Sequence, residues 1–168
     1  EKGVVTCMDV AKDRTGRWDA IIRPCYLYLD YFLPSIEQAS CIAGTDDERR
    51  IADYFLEQGV GTVAIKLGTR GCYCKDGKRA FYCGCYQVPV AETTGAGDAF
   101  VGGMVYAQLQ EYPVEKMLLF STAAARMAVA HQDTINPSIS AQSVLHPKPG
   151  CAADPVCLRL LPSGNGRW

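Results

Sequence analysis

The sequence has no long apolar run, no excess of either charge and no leader-like start. Its longest uncharged stretches, such as residues 99–110, are far shorter than the roughly 20 apolar residues that a membrane helix needs. Seventeen basic side chains against eighteen acidic ones give a net charge of -1, which argues against a surface that attracts nucleic acid or anionic lipid. The charged-then-apolar pattern of a secretory signal is also missing. We therefore expect a soluble, cytoplasmic protein without a nucleic-acid or membrane partner.

What the sequence does contain is the composition of an ordinary globular domain. Hydrophobic residues make up 48% of the chain and charged residues 21%, as in average soluble proteins. A length of 168 residues suits one domain or a part of a larger one. Predicted strands alternate with predicted helices, which is typical of a three-layer, doubly wound α/β fold with a mostly parallel sheet. Because the first predicted strand starts almost at once, we expect this fold to be truncated at its N-terminus.

Hydrophobic spacing and turn residues predict where the elements lie. Strands are expected at 4–10, 31–33, 63–67 and 87–91, with a cysteine-rich hairpin between the last two. Helices are expected at 19–29, at 35–44 after a Pro34-Ser35 cap, at 46–58 after a Thr45 cap, from 98 to about 111, and from 113 to about 128. Pro and Gly interrupt any pattern from His146 onward. The prediction is one domain over 1–145 and an irregular tail over 146–168 that does not pack on the sheet.

Nine cysteines are many for this length. Two CxC pairs, Cys72/Cys74 and Cys83/Cys85, flank an expected two-residue turn at Asp76-Gly77. On a strand, CxC places two side chains on one face about 7 Å apart, whereas structural zinc usually takes its ligands from CxxC. A zinc site is therefore the less favoured interpretation, and buried, reduced thiols are the favoured one. A disulfide scaffold is also disfavoured, since a chain with this apolar content does not need one.

The segment 92–105 reads ETTGAGDAFVGGMV and lies between a predicted strand and a predicted helix. Free N–H groups and the helix dipole converge at such a turn, which therefore suits an anion such as phosphate. Gly95 and Gly97 allow the backbone to approach a phosphate closely, with Ala96 as the only side chain between them. Asp98 follows in the first helical turn. A carboxylate there either caps the helix or acts as a base toward the group that attacks the phosphorus.

Two common phosphate-binding loops do not match. The dinucleotide fingerprint needs Gly or Ala at its sixth position, which is occupied here by Phe100. The P-loop needs GxxxxGK[ST], but Gly77-Lys78 is followed by Arg79, and Cys72 stands where the first Gly should be. The phosphate-binding turn therefore belongs to another class.

The segment 92–105 resembles the second signature of the ribokinase-like (PfkB) carbohydrate kinases. The matching positions are Thr93, Gly95, Ala96, Gly97, Asp98, Gly102, Gly103, Met104 and Val105. Glu92 stands where the family usually has Asp. The resemblance extends to VTCMDV at 5–10, FLPSIEQA at 32–39, KLGTRG at 66–71 and FSTAAA at 120–125. It covers roughly residues 4–145.

This resemblance implies ATP-dependent phosphorylation of a sugar hydroxyl in a ribokinase-like fold, with ATP and Mg²⁺ as cofactors and K⁺ as a further cation. Asp98 is the expected base, and the N–H groups of Gly95, Ala96 and Gly97 form the expected anion hole. The expected ATP contacts are Lys66, Leu67, Gly68, Thr69, Arg70, Gly71, Gly97, Thr122 and Ser35. The expected magnesium-side residues are Glu37, Gln38, Glu92 and Thr94.

The sequence departs from the family pattern at several of these positions. Ser35 and Gln38 replace the Asn and Glu of the family's NxxE, so the carboxylate that orders magnesium-bound water is missing unless Glu37 turns inward. Thr122 replaces an Asn, and residues 131–134 read HQDT where the potassium-binding strand ends in Gly-Ala. The family's N-terminal half, which supplies most sugar contacts, has no counterpart. The sequence therefore predicts the C-terminal half of a sugar kinase, with a truncated, non-catalytic nucleotide-binding remnant as the alternative. It predicts neither the sugar nor the oligomeric state.

Overall fold

The computed structural model describes residues 3–86, 88–131, 136–146 and 158–161. These residues divide into two compact units. The first unit comprises the described parts of Glu1–Gly68, Cys72–Tyr82 and Arg159–Trp168, and the second comprises those of Thr69–Gly71 and Cys83–Leu158.

A six-stranded sheet in the order β1-β2-β3-β4-β5-β6 organises the fold. Its strands are β1 Cys7–Met8, β2 Tyr31–Phe32, β3 Thr62–Lys66, β4 Cys72–Asp76, β5 Ala80–Cys83 and β6 Leu158–Leu161. The first three strands are parallel to one another, and β4 runs antiparallel to β3. The predicted α/β class with a mostly parallel sheet is therefore confirmed.

Six α-helices accompany the sheet in the described residues. They are α1 Trp18–Ile22, α2 Ile36–Ala43, α3 Glu48–Glu57, α4 Ala96–Leu109, α5 Val114–Val129 and α6 Ala141–Leu145. Short 3₁₀ helices cover Arg23–Tyr28 and Gly68–Arg70. Helix α4 starts at Ala96, two residues before the expected position, after the N-cap Gly95. The predicted start of α5 is confirmed, because Pro113 is its N-cap.

The core of the first unit is built around three aromatic rings. Tyr26, Phe32 and Phe55 are fully buried, with ring centroids 4.7 to 6.0 Å apart in tilted or edge-to-face pairs. Such pairs are favoured because the positive edge of one ring meets the negative face of another. Phe32 lies on β2 and Phe55 on α3, so this cluster fixes the helix layer against the parallel strands.

Several predicted elements differ in extent from the structure. The strand expected at 4–10 is reduced to β1, and the helix expected at 19–29 changes to 3₁₀ geometry at Arg23, next to Pro24, which cannot donate a helical hydrogen bond. The cap of α3 is Asp47, whose carboxylate accepts the N–H groups of Arg49 and Arg50, and not Thr45. These differences leave the order of the elements unchanged.

The strand predicted at 87–91 is absent from its described residues, 88–91. Ala91 and Glu92 instead donate their N–H groups to the carbonyl oxygen of Val129, at 2.8 and 3.3 Å. Gln87 lies outside the described residues. The segment that leads into α4 is therefore tied to the end of α5.

The cysteine hairpin turns one residue later than predicted. The Asp76 N–H donates to the Arg79 carbonyl oxygen at 3.0 Å, and Asp76 Oδ1 accepts the N–H groups of Lys78 and Arg79. The loop residues are therefore Gly77 and Lys78, and the expected turn at Asp76-Gly77 is wrong by one residue. The side-chain acceptor of Asp76 favours this register because it satisfies two N–H groups of the turn.

The irregular tail predicted after residue 146 contains a strand. Leu158–Leu161 forms β6 and joins the sheet, and Leu161 packs against the core of the first unit. The expectation that this segment does not pack on the sheet is wrong for these four residues. Residues 147–157 and 162–168 lie outside the described part of the chain.

Helices α4 and α5 form the main packing of the second unit, and they are in close contact at Gly103. A Cβ atom at Gly103 would lie 2.7 Å from the Cα of Ser121 on α5. The Ser121 hydroxyl donates to the Met117 carbonyl oxygen at 2.7 Å, which keeps it inside its own helix. Tyr106 on α4 stacks on Phe120 of α5 at a centroid distance of 5.0 Å.

We predict that Gly103→Ala destabilises the protein by about 1–3 kcal/mol, the usual cost of overpacking a close contact. Gly102 is the matched control, since a Cβ there meets nothing within 4 Å. Gly102→Ala should be neutral or stabilising by up to about 1 kcal/mol through helix propensity. Urea unfolding monitored by circular dichroism measures both values, and equal effects at the two positions would contradict the described α4–α5 packing.

Candidate active site

The turn before α4 is held in shape by one carboxylate. Glu92 Oε1 accepts the N–H groups of Thr93 and Thr94, at 2.8 and 2.9 Å, and the Thr94 hydroxyl at 2.8 Å. The Thr94 N–H, the Thr94 hydroxyl and the Thr93 N–H hold the pKa of the Glu92 carboxyl below its usual range. Glu92 and Thr94, both predicted on the magnesium side, therefore bind each other in this structure, and all three bonds go to Oε1.

Gly95 then reverses the chain direction at the N-cap of α4. Its φ of 83° is left-handed, a conformation that glycine adopts without steric cost. The Ala96 N–H donates to the Thr93 carbonyl oxygen at 3.3 Å, and the Ala99 N–H donates to the Gly95 carbonyl oxygen at 2.9 Å. The N–H groups of the first helical turn, including that of Gly97, have no partner within an α-helix. The turn predicted to bind an anion therefore has a left-handed N-cap followed by a helix start, and anion binding there stays a prediction.

Asp98 is the third residue of α4 and is exposed. The N-cap of α4, Gly95, contributes no side-chain capping bond. In the described residues, the carboxylate of Asp98 is therefore available to a molecule bound at the turn. The role of Asp98 as a base and its alternative role as a helix cap both stay predictions.

Residues 35–38 form a capping box, of which only the Ser35 cap is predicted from the sequence. Ser35 is the N-cap of α2, and its Oγ accepts the Gln38 N–H at 3.4 Å. Gln38 Oε1 in turn accepts the Ser35 N–H at 2.7 Å, which completes a capping box. Glu37 is exposed in the first turn. The pattern Ser-x-x-Gln is itself the sequence signal for this box, so it could have been recognised without a structure.

The segment 66–71 lies at the end of β3. Lys66 is the last residue of β3, Leu67 is buried, and Gly68–Arg70 forms a 3₁₀ turn whose residues are exposed. Gly71 has a φ of 92°, and a Cβ there would lie 2.0 Å from the Cys83 carbonyl oxygen. Backbone packing therefore requires glycine at 71 whether or not a nucleotide binds. Thr69 and Arg70 project from an exposed turn, as a ligand-binding loop needs.

The side chains of Lys66 and Thr122, like that of Ser35, have partners within the protein. Lys66 Nζ lies 2.5 Å from Asp9 Oδ2. Thr122 is buried, and its hydroxyl donates to the Leu118 carbonyl oxygen at 2.8 Å, with the Cys83 sulfur 3.5 Å away. Threonine commonly bonds back to the preceding turn in this way. The hydroxyl of Thr122 is therefore not directed at a nucleotide in this structure.

The cysteines predicted as buried thiols are largely so. Cys72, Cys74 and Cys83 are buried, and Cys85 is partly exposed. Burial raises the pKa of the Cys85 thiol, with the neighbouring Cys83 adding to the effect. Within the described ranges, no group of three or more His, Cys, Asp or Glu side chains could hold a metal ion.

The predicted potassium strand is described only at His131. Residues 132–134 of the predicted potassium strand lie outside the described residues, and His131 is partly exposed.

None of the helices in the described part of the chain combines the length and apolar character that a bilayer crossing requires.

Comparison with known proteins identifies a shared family. Residues 3–141 match the pfkB family of carbohydrate kinases. The chain is 42% identical over 77 residues to the 2-dehydro-3-deoxygluconokinase of Bacillus subtilis, an alignment that covers 45% of this chain and 24% of that protein.

Solved structures share the fold. The ribokinase of Arabidopsis thaliana, solved with ribose and ATP, matches with a TM-score of 0.75 and 27% identity, over 85% of this chain and 47% of that one. An Escherichia coli chain assigned to ribokinase II, solved with ATP and Mg²⁺, matches with a TM-score of 0.77 and 20% identity, over 85% of this chain and 48% of that one. The chain thus spans about half the length of these relatives.

The capping box predicts how α2 responds to substitution. Ser35→Ala should destabilise the protein by about 1 kcal/mol, the usual cost of losing an N-cap. Gln38→Glu should stay within about 0.5 kcal/mol of the unaltered chain, because glutamate completes the same box. Thermal unfolding of both variants measures these effects. A loss at Gln38→Glu as large as that at Ser35→Ala would contradict the assignment.

Proposed function

The chain belongs to the pfkB family of carbohydrate kinases, and on this basis we propose that it carries the nucleotide-binding and catalytic residues of a kinase that transfers phosphate from ATP to a sugar hydroxyl. The observation that carries the proposal is the left-handed turn at Gly95, which is followed by the exposed carboxylate of Asp98 in the first turn of α4. We assign this role to residues 1–145 as the C-terminal half of such an enzyme.

In the proposed reaction, Asp98 takes the proton from the attacking sugar hydroxyl as its oxygen bonds to the γ-phosphorus and the bond to the β-phosphate oxygen breaks. A positioned base accelerates such a step by about 10²- to 10⁴-fold. The N–H groups of Gly95, Ala96 and Gly97 stabilise the charge on the transferring phosphoryl group. The Ala96 N–H has only a long bond of 3.3 Å to Thr93, so redirecting it to a phosphate oxygen costs little.

The proposed ATP contacts divide between backbone and side chain. Residues 66–71 supply an exposed turn with Lys66 at its start, and Ser35 lies at the N-terminus of α2, where the helix dipole favours an anion. Thr122 would border the nucleotide through its position on α5 only, since its hydroxyl bonds to Leu118. These assignments require no side chain to give up a buried hydrogen bond.

Magnesium would accompany ATP and is held mainly by phosphate oxygens in nucleotide enzymes, with one or two protein carboxylates. Glu92 fits this modest requirement, because the bonds from its own loop go to Oε1 and leave Oε2 outside them. Gln38 does not fit it, since its Oε1 already accepts the Ser35 N–H. A potassium site remains part of the proposal only through the family resemblance.

A second candidate function is a nucleotide-binding remnant without catalytic activity. The observation that favours it is the engagement of Gln38 in the capping box, which leaves the described part of α2 without an inward-directed carboxylate. The relatives' names support the kinase function for longer proteins, and this chain spans about half of the solved ones. The two candidates differ in turnover and not in nucleotide binding.

Asp98→Asn is predicted to lower turnover by about 10²- to 10⁴-fold, the contribution of a positioned base, with ATP affinity nearly unchanged. The measurement is steady-state kinetics in a fusion that supplies the N-terminal half of a family kinase. Asp46→Asn, which alters an exposed carboxylate outside the site, serves as the control and should retain full activity. Turnover of Asp98→Asn within tenfold of the unaltered fusion would remove Asp98 from the role of base.

The 168-residue chain alone is predicted to bind ATP weakly, with little dependence on magnesium, and to phosphorylate no sugar. Gln38→Glu should restore part of the magnesium dependence. A glutamate can accept the Ser35 N–H with one oxygen and offer the other to a cation, whereas the second group of Gln38 is an NH₂ donor. Calorimetric titration with ATP, with and without Mg²⁺, reports this difference. Sugar turnover on the order of 1 per second by the unaltered chain, a rate usual for kinases, would exclude the remnant.

A further inference from the structure

The carboxyl ends of β1, β2 and β3 lie at one edge of the sheet, because these strands are adjacent and parallel. Asp9 directly follows β1, and Lys66 is the last residue of β3. The two strands are separated by β2, so their axes lie about 9–10 Å apart. Lys66 nevertheless reaches Asp9, with Nζ 2.5 Å from Oδ2. The lysine side chain therefore spans the end of the intervening strand.

Both ends of this ion pair are fixed by further bonds. Asp9 Oδ1 accepts the Val10 N–H at 2.8 Å, which orients the carboxylate. The Lys66 N–H donates to the Pro34 carbonyl oxygen at 2.9 Å, and Lys66 forms a parallel bridge with Ser35. The Lys66 side chain is only 13% exposed. The ammonium group is thus held in one place and not distributed over many rotamers.

The pair leaves the lysine able to bind a second anion. An ammonium group has three N–H donors, and Asp9 accepts one of them. In open α/β sheets, ligands bind beyond the carboxyl ends of the strands, which is the edge where Lys66 lies. The exposed turn Gly68–Arg70 begins two residues further along the chain. Lys66 is therefore a fixed positive charge at the start of the proposed nucleotide loop.

We propose that Asp9 is a positioning residue for ATP binding, which acts by holding the Lys66 ammonium ready for a phosphate oxygen. This inference rests on the proposed nucleotide role of residues 66–71. A free lysine side chain has large rotamer entropy, much of which is lost when its ammonium group binds a ligand. Fixing it before the ligand arrives removes that cost from the binding step. Asp9 itself does not touch the nucleotide.

The test is a double-mutant cycle on the 168-residue chain, with titrations of ATP and of adenosine. Asp9→Asn should weaken ATP binding by about tenfold, the scale of one charge-assisted hydrogen bond. Lys66→Met should weaken it by at least as much, and the double variant should match Lys66→Met within about twofold, since coupled residues do not add. Adenosine affinity should be unchanged in all three variants, because adenosine has no phosphate.

The matched control is Asp53→Asn. Asp53 forms the same kind of ion pair with Lys75, in the same unit but on α3 and β4. Losing this pair should change thermal stability without changing the ratio of ATP to adenosine affinity. If Asp9→Asn does not fold, Asp9→Glu gives the same test, since it moves the carboxylate by one methylene and should weaken ATP several-fold while adenosine binding is retained.

The outcomes distinguish failure of the positioning role of Asp9 from failure of the proposed nucleotide role of residues 66–71. ATP affinity of Asp9→Asn or Asp9→Glu equal to or above that of the unaltered chain overturns the positioning role and leaves the proposed function standing. Equal losses for ATP and adenosine also overturn it, because they indicate a structural defect. If the unaltered chain binds adenosine but gains nothing from the phosphates of ATP, the proposed nucleotide role of residues 66–71 fails, and the inference fails with it.

Discussion

The hydrogen bonds from Thr93 and Thr94 to Glu92 fix the turn on which the rest of the candidate site depends. They occupy the N–H groups of two successive residues, so the chain enters Gly95 in one defined direction. The left-handed conformation of Gly95 then starts α4. Because the first turn of a helix presents N–H groups without helical partners, the same few bonds that shape the turn also direct these groups toward the proposed phosphate. Asp98 is exposed at this end of α4 as a consequence.

The packing of α4 against α5, the two helices that follow this turn, restricts which residues the site can contain. α4 approaches α5 so closely at Gly103 that no side chain fits against Ser121, while the neighbouring Gly102 faces open space. Helix packing therefore requires glycine at 103, whereas it does not require glycine at 102. The residues before the turn are also tied to the end of α5, through the N–H groups of Ala91 and Glu92. Turn, helix and packing form one connected arrangement within the second unit.

Local sequence patterns predicted much of this fold correctly. Ser35 and Gly44 bound α2 as expected, and Gly95 and Pro113 cap α4 and α5, because capping depends on residues a few positions apart. The α/β class followed from the alternation of elements. The missed cap at Asp47 and the hairpin register set by Asp76 had local causes, whereas the missed strand β6 depended on distant pairing. Nothing local in Leu-Arg-Leu-Leu at 158–161 indicates that this segment joins a sheet, and strand pairing depends on neighbours far away in sequence.

In the candidate site, too, local features could be predicted from the sequence and contacts between distant residues could not. The turn at 92–98 was predictable, since glycines, a carboxylate and a helix start lie within seven residues. The ion pair of Lys66 with Asp9 joins residues 57 positions apart and could not be inferred from either segment alone. Gln38 shows the opposite case, because the family pattern assigns it to the magnesium side, whereas the local Ser-x-x-Gln pattern indicates a capping box with Ser35.

The central proposal is that residues 69–71 and 95–97 contact the phosphates of ATP. Nuclear magnetic resonance titration of the ¹⁵N-labelled chain with ATP tests it residue by residue. The account predicts that the backbone amide signals of these two segments shift together and saturate with one affinity, and that adenosine shifts them much less. ATP binding that leaves both segments unperturbed would contradict it.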